Sequence, residues 1–466
     1  MSEQTKTKVK SAKGGFSSKL GFILAAAGSA VGLGNIWRFP YLAAQYGGGI
    51  FLLVYLILAV TFGFTLMVTE IAIGRKTGKS VMGAYGELHS KFKPLGWVAA
   101  AVPVIIFPYY CVIGGWVLKY LTVFITGHGS DAAAVTTEVV DGVSKNITFF
   151  DTFIGNALQP SVFLFIYMGI TALVVMLGVE KGIEKFSKFL MPVLIVITIV
   201  IAIYSITLDG AMEGFIYYIK PDFKNFSLKT VIAAMGQLFY SMSLAMGIMV
   251  TYGSYMRKDD SIEGSVRHIE IFDTAIAFLA GMMIIPAVFA FSGGDKAALN
   301  QGPGLMFVTL PKVFDTMPGG HIIGVVFFVL VALAALTSSI SLMETIVHIV
   351  MEKTKMKRIP ASLIVFGGSF LIGMLSVLGY SSWKNVTVFG KQFLDFFDFV
   401  SNSVIMPIVA LLTCILIGYV VKTKTVESEV ELNGEFKSKL LYRIMIKYVC
   451  PVFMIAIFIS AVIGYV

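Results

Sequence analysis

The chain has 466 residues, 57% of them hydrophobic and only 14% charged, with a mean hydropathy of +0.85. That balance excludes a soluble globular protein and places the chain in a membrane. Its formal net charge of +9 follows from membrane topology and attraction to anionic headgroups, so it requires no nucleic-acid partner.

Apolar stretches long enough to cross the hydrocarbon core as α-helix recur along the whole sequence. They fall at 20–46, 50–74, 96–126, 160–178, 187–207, 229–256, 266–292, 320–351, 360–379, 394–421 and 444–466. The prediction is an all-α polytopic membrane protein of about eleven transmembrane helices with no separate soluble domain. Segment 1–19 is lysine-rich, lacks the apolar core of a cleaved signal peptide and reads as a cytoplasmic arm. With that arm inside, about 26 of the 36 Lys and Arg lie on it and on the inner loops, which predicts a cytoplasmic N-terminus and an external C-terminus. Segments near 127–159, 208–228 and 293–319 read as outer caps, and 422–443 as a cytoplasmic loop. Asn146-Ile147-Thr148 matches a glycosylation sequon, a pattern that a plain turn also produces. Cys111, Cys414 and Cys450 all fall in apolar segments, which indicates neither a disulfide framework nor a zinc site.

The first span contains Gly28-Ser-Ala-Val-Gly-Leu-Gly-Asn-Ile-Trp-Arg-Phe-Pro40. Glycine weakens helix, and backbone freed from helical bonding is tolerated at membrane depth only against protein or a water-filled cavity. The segment therefore reads as a broken helix lining a polar site, and Arg38 needs a partner elsewhere in the chain. In the sixth span, Ser241 and Ser243 between Gly236 and Gly247 mark a second interruption. Ser and Thr also serve as ordinary hydrogen-bonding glue between membrane helices, with glycine allowing close packing. Two interruptions five spans apart nevertheless match a five-plus-five inverted repeat, 20–207 and 229–421, joined by the outer connection 208–228 and followed by an extra helix 444–466.

Taken together, GSAVGLGNIWRFPYLAAQYGGG at 28–49, Tyr109-Tyr110, GQLFYSMSLAMG at 236–247, TYGSYMRKDD at 251–260 and ALTSSIS at 335–341 resemble the neurotransmitter:sodium symporters. The similarity runs from about residue 13 through the tenth span and is strongest to the bacterial sodium-coupled amino-acid transporters. It implies a leucine-transporter-like fold and a sodium-coupled symporter that imports a neutral, hydrophobic amino acid by alternating access.

Two sodium sites follow from that resemblance, both built from oxygen as a hard cation requires. One would use the Ala30 carbonyl, Asn35, Ser241 and the seventh span's Asp273, which stands where an Asn ligand is usual. The other would use the Gly28 and Val31 carbonyls with Ala334, Thr337 and Ser338. A carboxylate at 273 implies that no chloride is required, and leaves proton antiport open. The implied substrate pocket is Ala30, Gly32, Leu33, Gly34, Ile106, Tyr110, Tyr240, Ser241, Ser243, Met246, Ser338 and Leu342. Amides at 32–34 would take the carboxylate, Tyr110 and Tyr240 would lid it, and Ala245 in place of a common glycine would narrow the floor.

The resemblance also supplies gates. Arg38 would face Asp398, with Gln237 nearby and Asp395 as an alternative partner. Lys13 and Phe16 would latch to Glu352 on the cytoplasmic side, although Lys13 and Glu352 read equally as solvated charges. Gly182 and Pro192 form a glycine, nine-residue, proline pattern that permits unwinding of the fifth helix or a static kink. No Walker loop or nucleophile-and-base arrangement suggests an enzyme, and His268, His321 and His348 are scattered. A sodium-gated channel and an amino-acid sensor remain as other classes. The implied setting is the bacterial inner membrane, with the lipid bilayer and a small amino acid as partners and monomer or homodimer left open.

Overall fold

A computed structural model describes residues 15–140, 143–294, 299 and 303–464. Among these, nine helices are long and apolar enough to span a bilayer. The second to fifth spans are Gly49–Thr77, Ser90–Ile125, Leu158–Met176 and Val179–Ile206. The seventh to eleventh are Ile262–Ser292, Gly320–Thr354, Arg358–Tyr380, Phe393–Val420 and Lys439–Ile463. The first is a bent pair, Lys19–Ala30 and Gly34–Gln45, turning by 50° at its break. The sixth is also in two pieces, Leu228–Ser241 and Ile248–Tyr255, so eleven spans are present in the described residues.

Serine starts three of these helices by giving a free backbone amide a side-chain acceptor. Ser18 accepts from the Gly21 amide, Ser227 from Thr230 and Ser261 from Gly264. The third span carries Pro103 and Pro108 in its interior and stays continuous. Among the nine continuous spans it is the most enclosed, with 78% of its most apolar stretch buried against 28% for the eleventh, so the third lies in the core and the eleventh presents its surface to lipid.

One element departs from an all-α reading. In the segment between the third and fourth spans, Val135–Val140 and Val143–Thr148 pair antiparallel as a hairpin. The run is dense in Val and Thr, whose branched side chains suit a pleated strand better than a helix. Asn146 of the sequon is therefore on a strand rather than in a turn. It sits opposite Thr137, whose hydroxyl donates to Asn146 Oδ1 at 3.0 Å.

The second span and the second piece of the sixth, Ile248–Tyr255, approach backbone to backbone. A Cβ on Gly74 would overlap the Val250 carbonyl, and one on Gly253 would overlap the Ile71 carbonyl. This contact fixes one side of the sixth span's break, because Glu70 lies one turn before Gly74 and reaches into that break. Gly253→Ala is expected to cost about 1–3 kcal/mol through overpacking. The check is thermal stability of the purified chain: the variant should lose its monodisperse peak at a lower temperature than wild type.

Candidate functional site

The first span loses its helical winding over Val31 and Gly32 and resumes through Leu33 into a π-wound turn, Gly34–Arg38. The sixth unwinds over residues 242–247, where Ser243, Ala245 and Gly247 have φ of 54°, 57° and 74°. Left-handed backbone at Ser243 and Ala245 is costly for side chains that carry a Cβ, so the surroundings must hold it. Glu70 does so by accepting the Ala245 amide at 2.6 Å.

Between the two breaks lies a small cavity of about 20 Å³. All twelve residues expected around the substrate line it, and so do Ser29 and Ile248. Ala245 does not line it, so the expected narrowing of the floor is corrected: its amide is turned to Glu70, and Met246 lines the cavity. Leu33 N–H points to the Tyr110 hydroxyl at 3.4 Å, and Ser243 and Ser338 each donate to the Ser29 carbonyl at 3.0 Å. Amide donors and small hydroxyls therefore occupy one side, while Ile106, Met246 and Leu342 make apolar wall. No Lys, Arg, Asp or Glu lines the cavity. Gly32 is needed for close approach, since a Cβ there would lie 2.5 Å from Ser338 Oγ and 3.0 Å from the Tyr110 hydroxyl.

Two oxygen clusters flank the cavity. In one, Asn35 Nδ2 donates to Asp273 Oδ1 at 2.8 Å, and Ser241 Oγ lies 3.4 Å from Asp273 Oδ2. Tyr55 of the second span completes this cluster, with its hydroxyl 3.0 Å from both Asp273 Oδ2 and Ser241 Oγ. In the other, Thr337 Oγ1 lies 2.9 Å from the Ala334 carbonyl and 3.5 Å from that of Val31. Gly28 faces the same place, where a Cβ would stand 3.3 Å from Thr337 Cβ. The donor sets are carboxylate, hydroxyl, amide and carbonyl oxygens, which suit a hard cation of low charge.

The gates differ from expectation. Arg38 points to the Gly236 carbonyl at 3.5 Å and lies over the Tyr240 ring, 5.3 Å from its centre. Asp398 instead accepts from Tyr109 at 3.2 Å and from Asn402 at 2.6 Å. The described residues thus contain no direct Arg38–Asp398 ion pair, because each group is held by nearer partners. Asp395 is not the alternative, as its near contact is the Tyr380 hydroxyl at 3.4 Å. Gln237 donates to the Gly34 carbonyl at 2.8 Å and so braces the first break.

On the opposite side Lys13 lies outside the described residues. Phe16 is buried and meets Phe22 and Tyr252 edge to face, while Glu352 accepts the Ser80 amide at 2.5 Å. Gly182 lies in the π-wound turn Val179–Glu184, where a Cβ would overlap the Val174 carbonyl, and Pro192 lies within a continuous helix. Tyr55, Ser29, Glu70 and Ile248 were not read from the sequence. Only Glu70 carried a signal, being an ionisable group inside an apolar span.

Residues 13–137 and 131–466 match the sequence model of the sodium:neurotransmitter symporter family. The chain is 34% identical over 457 residues to an uncharacterized sodium-dependent transporter of Haemophilus influenzae, covering 96% of this chain and 97% of that one. It is also 34% identical over 452 residues to the uncharacterized sodium-dependent transporter YhdH of Bacillus subtilis, with coverage of 96% and 97%. The crystal structure of MhsT in complex with L-phenylalanine matches with a TM-score of 0.84 at 37% identity, over 97% of this chain and 100% of that chain.

Tyr55 gives this geometry a direct test. Tyr55→Phe removes the hydroxyl shared by Asp273 and Ser241 and keeps the ring, so the fold should survive. The sodium concentration for half-maximal activation should rise about threefold to tenfold, the scale of one ordinary net hydrogen bond. Sodium titration of the purified variant checks this.

Proposed function

The chain belongs to the sodium:neurotransmitter symporter family, and from that premise we propose that it imports a neutral, apolar amino acid by sodium-coupled alternating access. The family is one of multi-pass, sodium-dependent membrane transporters, not of enzymes. The observation that carries the substrate reading is the cavity between two broken helices, lined by no charged side chain among the described residues, with the Gly32 and Leu33 amides, held by Asn35 and Tyr110, at one edge and apolar Ile106, Met246 and Leu342 also in its wall. The chemistry of the lining suits a zwitterion: its carboxylate would meet backbone N–H groups, its ammonium the Ser29 carbonyl and serine hydroxyls, and its side chain Ile106, Met246 and Leu342. A charged side chain would find no counter-ion there. That MhsT was crystallised with L-phenylalanine favours the same class.

Two sodium ions are proposed, one at Ala30, Asn35, Ser241 and Asp273, the other at Gly28, Val31, Ala334, Thr337 and Ser338. The first lies against the cavity edge that would hold the substrate carboxylate, so each guest strengthens the binding of the other. Asp273 supplies a fixed negative charge beside that ion, and chloride is therefore not required. The segments 20–207 and 229–421 act as inverted halves that rock about the shared site. With the broken sixth element counted as a span, eleven crossings would leave the two ends of the chain on opposite faces. The positive-inside rule places the N-terminus in the cytoplasm and the C-terminus outside, in the inner membrane of a bacterial cell.

Proteoliposomes with an imposed gradient test this. Uptake of a neutral aliphatic or aromatic amino acid should be concentrative in sodium, absent in potassium, and unchanged when gluconate replaces chloride. Equilibration without accumulation would indicate a channel, binding without flux a sensor, and collapse without chloride would remove the role given to Asp273.

A further inference from the structure

The cytoplasmic side holds an anchor distinct from Glu352. Glu184 is the last residue of the π-wound turn Val179–Glu184 that opens the fifth span, and its side chain is 1% exposed. Its Oε2 accepts the Ser17 amide at 2.7 Å. Its Oε1 accepts the Ser17 hydroxyl at 2.7 Å, the Ser18 hydroxyl at 2.8 Å and Lys188 Nζ at 2.7 Å. Ser18 is also the N-cap of the first span, taking the Gly21 amide at 3.1 Å. Gly21 leaves room for the arrangement, since a Cβ there would overlap the Glu184 carboxyl group. Three positions in the opening turn of the first span are thus shaped to one carboxylate of the fifth.

Such a contact is made or broken as a unit. A buried carboxylate is satisfied only while its donors are seated. If the first span's inner half moves away, Glu184 keeps Lys188 alone and must recruit water from the cytoplasmic edge, where Lys188 is 37% exposed. The turn that carries Glu184 is already irregular, with Gly178 at φ 87° before it. Farther along the same inner half lies Gly28, and Val31 follows it, so the seating of Lys19–Ala30 also sets where those carbonyls stand.

We propose that Glu184 is the cytoplasmic latch of the first span, a positioning residue whose release frees the inner half of that helix and unwinds the start of the fifth together. The proposal rests on the alternating-access reading above. It assigns the inward gate to the Ser17–Ser18–Glu184 contact.

Hydrogen–deuterium exchange on the full chain in nanodiscs, in sodium or potassium chloride, tests it. In wild type, sodium should slow exchange in peptides covering 17–30 and 179–190 together. Glu184→Gln and the double variant Ser17→Ala/Ser18→Ala should each speed both peptides in sodium by about tenfold, and the two combined should add nothing more. The serine variant keeps the Glu184–Lys188 pair, so it decides the matter if Glu184→Gln folds poorly. Unchanged exchange, a change confined to one peptide, or additive effects would overturn the latch. If sodium protects both peptides in wild type but the variants match it, the latch alone fails. If sodium alters neither peptide, the alternating-access reading fails with it.

Discussion

Backbone that leaves the helix inside a membrane must find its hydrogen bonds in protein or in what the protein binds. Here two breaks, at 31–32 and 242–247, face each other across one cavity. Asn35 takes the Gly32 amide, Tyr110 lies against the Leu33 amide, Glu70 takes the Ala245 amide and Gln237 gives to the Gly34 carbonyl. Ser243 and Ser338 share the Ser29 carbonyl. These side chains come from the first, second, third, sixth and eighth spans. The breaks therefore dictate where several helices must carry a polar group in an otherwise apolar interior.

The same constraint explains the buried acids. Asp273 and Glu70 would each be costly alone in a low-dielectric interior. Asp273 is surrounded by Asn35, Tyr55 and Ser241, three groups that favour a charged oxygen and whose oxygen atoms also suit a cation. Glu70 is spent on structure, holding a left-handed residue in the sixth span that would otherwise relax. One carboxylate is thus placed for a guest and the other for the frame. The frame is tightened by glycine contacts such as Gly74 with Val250 and Gly253 with Ile71, which bring the second span close enough for Glu70 to reach.

The first break was legible because three glycines, an asparagine and an arginine cannot form a lipid-facing helix. The sixth was fainter, since serine and glycine also occur as packing residues, and it became firm only in company with the first. The twelve cavity residues came from family resemblance, whose motifs cover both breaks and the eighth span. Tyr55 was invisible because an aromatic residue in an apolar run looks the same whether it packs or donates a hydrogen bond. Glu184 looked like one more loop charge, and its buried position depends on how the fifth span meets the first. Arg38 was rightly marked as needing a partner: its nearest contacts are a ring and a carbonyl, and Asp398 acts on it through charge without a direct ion pair, a spacing that only the neighbouring helices could set.

The central claim is that the broken helices join substrate and sodium in one site, so that their binding is linked. Equilibrium binding measured both ways tests this most directly. The factor by which sodium tightens the amino acid should equal the factor by which the amino acid tightens sodium, and both should be about tenfold or more. Amino-acid affinity that is the same in sodium and in potassium would contradict the account.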